Sequence, residues 1–211
     1  MIEQSLTTPT NTVTENPVKT YILELLEEQL QNFDLVDGGQ QRTVGDLIES
    51  KVSEILYNSN NELISERRGP RSKKSIEDVT LISNGVTYYV DPKTHNINSD
   101  FSMPNLTSVD KIKKLFNTPN QELIYVFVSY EVTDGVIVIK DIKVFFIWEI
   151  DSTILGVGAL GKGQLQIKNA NDELVFTNKG KTAWFSDFKV LVQQFLAKQI
   201  IKINKQIVEW N

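Results

Sequence analysis

Cysteine is absent from the 211 residues, which excludes disulfides, thiolate metal sites and cysteine nucleophiles. Histidine is nearly absent. His95 stands alone, so multi-histidine zinc sites and a conventional Ser-His-Asp triad are excluded as well. No apolar run approaches the roughly 20 residues of a membrane span. The first residues are polar and carry no secretory h-region, so the expectation is a cytoplasmic protein of bacterial type with no membrane partner. The glycine-rich stretch Gly156–Gly163 (G-V-G-A-L-G-K-G) leads from Gly161 to Lys162 and then Gly163. It lacks the Ser/Thr and the following helix of a phosphate-binding loop, so no nucleotide cofactor is expected.

What is present describes an ordinary globular chain. Hydrophobic residues make up 40% and charged residues 23%, and the length suits one well-buried domain. We expect a flexible arm over 1–16, rich in Thr and Asn, and a single catalytic and binding domain over 17–211. The net charge of −5 hides an uneven distribution. Residues 1–66 hold 12 acidic and 3 basic side chains, whereas 67–211 hold 15 and 19. A positive face within an acidic chain is compatible with phosphate binding.

The chain is organised around Ile76–Asn96, I-E-D-V-T-L-I-S-N-G-V-T-Y-Y-V-D-P-K-T-H-N. Alternating β-branched and aromatic residues flank Asn84-Gly85, the signature of a two-residue hairpin turn. With that turn, Ser83 faces Val86, Val79 faces Val90 and Asp78 faces Asp91. Lys93 shares the face of Asp91, since side chains alternate along a strand. Two carboxylates opposed at roughly 5 Å repel each other unless a positive charge lies between them. A divalent cation would resolve that repulsion, with the Lys93 ammonium beside it.

Other (D/E)-x-K triplets fail on geometry. Glu49-Ser50-Lys51 and Asp187-Phe188-Lys189 sit in helical patterns, where i and i+2 point to different faces. Asp141-Ile142-Lys143 has Asp134 upstream, but about 23 Å away along the strand.

Asp78, thirteen residues, then Asp91-Pro92-Lys93 closing a strand resembles the PD-(D/E)XK nuclease signature. The flanking text S-E-R-R-G-P-R-S-K-K-S-I-E-D-V and D-P-K-T-H-N-I-N-S-D-F-S-M-P-N-L resembles a group of small type II restriction endonucleases over Gly45–Leu115. No proline precedes Asp78. Gly45-x-x-x-Glu49 resembles the first helix of that superfamily, whose glutamate serves the metal site. The resemblance implies an α/β fold, with a mixed central sheet flanked by helices. It implies Mg²⁺ held by Asp78, Asp91, the Pro92 carbonyl and Glu49, with Lys93 acting on the attacking water. Double-stranded DNA would be the substrate, and a homodimer would match a palindromic site. A repair or junction-resolving nuclease, or a catalytically silent DNA-binding module, are the other classes the residues allow.

Arg67, Arg68, Arg71, Lys73 and Lys74 crowd the loop 58–75 ahead of Asp78 and are expected to clamp phosphates. Thr94, His95 and Asn96 continue past Lys93 and are candidate DNA contacts. Lys162, Gln164 and Gln166 are candidate readers of DNA, since Gln can bind adenine bidentately; the nearby glycines would let backbone approach DNA.

The helices follow from caps and periodicity. One begins at Pro17 behind Asn16, with a stripe of Tyr21, Leu25, Leu26, Leu30 and Phe33, and ends at Asp37-Gly38-Gly39. A second starts near Thr43 with Ile48, Val52, Ile55 and Leu56 inward, and Gly45 leaves room for substrate or metal. A third spans Ser108–Phe116. Glu122–Val132 and Val136–Ile150 read as strands joined at Thr133-Asp134-Gly135, with their aromatics in the core. After a basic turn at Lys179–Thr182, a long amphipathic helix runs from Ser186 to Glu209, its apolar face packed on the sheet; dimerisation is the alternative use of that face.

Overall fold

A computed structural model of the chain describes residues 15–34, 41–70, 72, 75–99, 105–158, 163–168 and 173–210. The expected arm therefore lies outside the described residues except at its last two positions, as do Arg71, Lys73, Lys74 and Lys162.

Asn16 caps the first helix, α1 (Pro17–Gln29), its side-chain oxygen accepting from the Val18 and Lys19 amides at 3.0 and 3.2 Å. Proline at the first helical position costs no hydrogen bond there. The buried stripe is Val18, Ile22 and Leu26. Tyr21 and Leu25 sit at its margin. The helix ends before Phe33, which instead belongs to the short strand β1 (Phe33–Asp34), so the expected helical run to residue 36 is corrected. Helix α2 spans Gln41–Asn58. It starts two residues ahead of the expected start at Thr43. Val44, Ile48, Val52 and Leu56 face inward.

Strand β2 (Glu66–Arg68) forms inside the stretch expected to be loop. Then come β3 (Val79–Ser83), β4 (Val86–Asn96), β5 (Asn105–Ser108) and α3 (Val109–Phe116). Strands β6 (Gln121–Thr133) and β7 (Val136–Phe146) follow. A 3₁₀ turn at Ile147–Glu149 ends β7 earlier than its apolar run suggested. Strands β8 (Leu155–Gly158) and β9 (Gln164–Ile167) lead to α4 (Lys181–Glu209).

Six strands form one mixed sheet in the order β1-β7-β6-β4-β3-β2, and β5-β9-β8 form a second, smaller one. Among the described residues only β4 and β6 pair in parallel, from Thr87–Gln121 to Asn96–Tyr130. Parallel neighbours need a crossover, and the segment carrying β5 and α3 supplies it. Residues Leu123–Val128 of β6 are buried on both faces, as expected of a strand covered on two sides. On one face α1 and α2 cover Val79, Leu81, Val90, Ile124, Val126 and Val128. The other face buries Tyr89, Leu123, Tyr125 and Phe127 against α3, the small sheet and the start of α4.

Both hairpins adopt the geometry their turn residues demand. Asn84 and Gly85 lie at φ 48° and 76°, Asp134 and Gly135 at 51° and 78°. Two consecutive positive φ values are the type I′ turn that matches strand twist.

Candidate metal and nucleic-acid site

The hairpin register is the one the turn dictates: Val79 pairs with Val90 and Ser83 with Val86. The ladder ends at Val79–Val90, where the Asp78 amide donates to the Val90 carbonyl at 3.0 Å, one residue out of register. Asp78 stands just before the strand, and its charge reaches Asp91, Glu49 and Lys93. Asp91 is buried and Asp78 half-buried. On the same face, the Lys93 ammonium donates to Asp91 Oδ1 at 2.7 Å and to the Pro92 carbonyl at 3.1 Å.

Helix α2 packs on the other face of the sheet and brings Glu49 within electrostatic reach of Asp91 and Lys93. The approach depends on Gly45: a Cβ there would lie 2.7 Å from Thr94 Oγ1. The space at Gly45 is thus filled by Thr94, not kept for a ligand. Thr94 in turn donates to Glu49 Oε1 at 3.3 Å and fixes the carboxylate near the cluster. Gly45→Ala is expected to gain up to about 1 kcal/mol of helix propensity and lose more to the clash, for a net destabilisation of about 1–3 kcal/mol. Adding Thr94→Ala removes the obstructing oxygen, so the double variant should recover stability in urea unfolding. If it does not, the Gly45–Thr94 approach is not what sets the helix position.

The electrostatics join the four groups. Burial pushes the Asp91 carboxyl up to about 7, with Asp78 and Glu49 adding to the rise and Lys93 opposing it. Burial likewise raises Glu49, against the pull of Lys93, with Asp78 and Asp46 reinforcing the rise. Burial alone would lower Lys93, but Asp91, Glu49 and Asp78 outweigh it and hold the ammonium above its ordinary value. Three carboxylates around one ammonium leave excess negative charge in a half-closed place.

Among the described residues no three His, Cys, Asp or Glu side chains form a cage for a metal. Mg²⁺ does not require one; it is commonly held by one or two carboxylates and keeps several waters. The donors here are all oxygen. Asp91 Oδ1 and the Pro92 carbonyl already converge on one point, since both accept from Lys93 Nζ. The residues therefore fit a hard divalent cation.

The alternative triplets are spent elsewhere. Asp141 pairs with Lys143 at the surface and lies opposite Ser129. Asp187 accepts from Lys179 and Ser152. Lys51 sits over the Phe33 ring.

The candidate DNA residues divide. Arg68 pairs with Thr80 in the sheet, which puts it on the Asp78 face at an edge strand, where it also binds Glu66 in a fork. Arg67 is on the opposite face; its Nε and Nη2 are buried without a partner. His95 shares the face of Lys93 but leans on Phe127, its Nε2 buried and unpartnered, and burial lowers its pKa. Asn96 accepts from the Asn98 amide in the turn that ends β4. Thr94 is on the α2 face, bound to Glu49. Gln164 is half-buried in β9, and the Gln166 amide donates to Asn105. Gly158 makes room for the Gln166 side chain and Gly156 for that of Lys168. These two glycines accommodate side chains of this chain, which corrects their reading as an approach to DNA.

Tyr125 lies beside Asp91 in the parallel ladder. It reads from sequence as core, and it is fully buried. Yet its hydroxyl has no hydrogen-bond partner, and the Asp91 charge helps to raise its pKa after burial. Only the β4–β6 register, which no local pattern gives, places it at the site.

No family model and no curated protein matches the sequence. Among solved structures the chain is similar to the NlaIV restriction endonuclease, with a TM-score of 0.53 and 16% identity, over 87% of this chain and 80% of that one. The fold is restriction-endonuclease-like. At this identity the likeness is one of architecture, and the chemistry rests on the residues themselves. Among the described residues no helix is long and apolar enough to cross a membrane.

Proposed function

We propose that the chain is a Mg²⁺-dependent type II restriction endonuclease of the PD-(D/E)XK kind, hydrolysing phosphodiester bonds in double-stranded DNA at a short specific sequence. The observation that carries this reading is that Asp91 and Lys93 pair on one face at the end of β4 and share their electrostatics with Asp78 and Glu49. The restriction-endonuclease-like fold supports it.

Asp78 and Asp91, with the Pro92 carbonyl, would hold the cation, and Glu49 would add an outer ligand through water. A cation bound there lowers the pKa of an attacking water and offsets phosphate charge. Lys93 stays an ammonium among three carboxylates, so its part is to orient the nucleophile and stabilise charge developing on the phosphate oxygens. Arg68, on the same face at the sheet edge, is placed to meet a backbone phosphate by exchanging its Glu66 partner. A two-fold homodimer would present two such sites to the two strands of a palindrome.

The test is incubation of purified protein with phage-sized duplex DNA, in Mg²⁺ and in EDTA, beside Asp91→Ala. Discrete fragments that need both Mg²⁺ and Asp91 are expected, and their mapped ends would give the site. A smear, or cleavage of branched DNA alone, would replace this reading with a non-specific or junction-resolving nuclease. No cleavage of any DNA would sink the enzymatic reading.

A further inference from the structure

Helix α4 runs 29 residues, about 43 Å at the α-helical rise, but only its first half is buried. Trp184 and Phe188 are buried, and Leu191 and Val192 are packed against the same core. Beyond them the helix leaves the body with its apolar face uncovered. Leu196, Ile200, Ile203 and Ile207 are 49, 59, 52 and 54% exposed, and Ile201 and Val208, off that stripe, 70 and 75%. The expectation that this face packs on the sheet is therefore corrected.

The geometry points to a second copy of this chain as the occupant: we propose that the outer half of α4 is a self-association surface on which two copies pair helix to helix. Three features favour that occupant. The four seam residues are spaced four, three and four apart, the a/d repeat that keeps one stripe facing a like stripe. The positions flanking the seam, Ala197, Gln199, Asn204 and Gln206, are uncharged, so two identical faces meet without like-charge repulsion. Lys198, Lys202 and Lys205 lie on the opposite side of the helix and stay in water. This deepens the dimer named under the proposed function by assigning its surface.

Light scattering on the full chain, without DNA or metal, tests it, so failure of the nuclease chemistry would leave the result untouched. At tens of micromolar the wild type should show twice its 24.0 kDa mass. Ile200→Glu/Ile207→Glu should run at the single-chain mass with unchanged far-UV circular dichroism, its dissociation constant raised at least 100-fold. Lys202→Glu, on the far side, should remain dimeric. A monomeric wild type overturns the proposal, as does a double variant that stays dimeric, since the interface would then lie elsewhere. A monomer that becomes dimeric on deletion of 1–14 would assign the face to that segment instead. A monomer that binds anionic phospholipid vesicles would assign it to a lipid surface.

Discussion

Lys93→Ala is expected to slow strand scission about 10³-fold, the usual loss when a charge-stabilising donor at a developing oxyanion is removed. The position of the ammonium makes this loss expected. It lies 2.7 Å from Asp91 Oδ1 and 3.1 Å from the Pro92 carbonyl, so it shares the oxygens that would hold the cation and is within reach of anything bound there. The variant should still bind Mg²⁺. Lys93 opposes the rise of Asp91 and Glu49, so without it both hold their protons to higher pH, and the Mg²⁺-induced rise in Tm should reach its full size at a higher pH than in the wild type. In Asp91→Ala the thermal shift should fall together with the activity. The wild-type shift should also depend on pH. Asp91 keeps its proton up to about 7, and a ligand must release its proton to bind metal, so the shift grows between pH 6 and pH 8. Without metal the sign is opposite: a carboxyl raised in the folded state costs stability as pH climbs from its unfolded value toward 7. A Lys93→Ala protein that cuts normally while Asp91→Ala does not would remove the lysine from the chemistry.

The hairpin carrying Asp91 and Lys93 was legible in the sequence because it is local. Asn84-Gly85 selects one turn, the turn fixes the register, and strand alternation does the rest. Glu49 was legible only as a helical position. What sets it over the hairpin is the fit of Thr94 into the space at Gly45, and that pairs residues 49 positions apart in the chain. The parallel β4–β6 pairing, and with it Tyr125 beside Asp91, follows from a crossover that no short-range pattern encodes. Strands β2 and β5 are polar and short and are held by their neighbours more than by propensity, so both read as loop. The outer half of α4 shows the limit of amphipathicity. The apolar stripe is there, but periodicity does not say whether a sheet or another molecule covers it.

Lys19→Met is expected to destabilise the fold by about 3–5 kcal/mol, the cost of leaving a buried charge unpaired. Lys19 is in the first turns of α1 and Glu149 in the 3₁₀ turn after β7, and both are buried. The ammonium donates to both carboxylate oxygens at 2.7 Å and sits 4.7 Å above the Phe146 ring. The carboxylate also accepts from the Phe146 amide at 2.6 Å. Burial lowers the pKa of Lys19 despite the pull of Glu149, so the pair sits in a place that resists charge and is tolerated only because both partners are present. At roughly 2–4 °C per kcal/mol for a chain of this size, a fall in Tm on the order of 10 °C should follow. Glu149→Gln should cost a similar amount, because it strands the ammonium while keeping an oxygen for the Phe146 amide. The double variant Lys19→Met/Glu149→Gln carries no buried charge and should return to within about 2 kcal/mol of the wild type, since replacing both members of a buried pair is often neutral. A cycle measured by urea unfolding would show this as strong non-additivity. Additive losses would mean that the two groups are hydrated and that α1 is fastened by its apolar stripe alone.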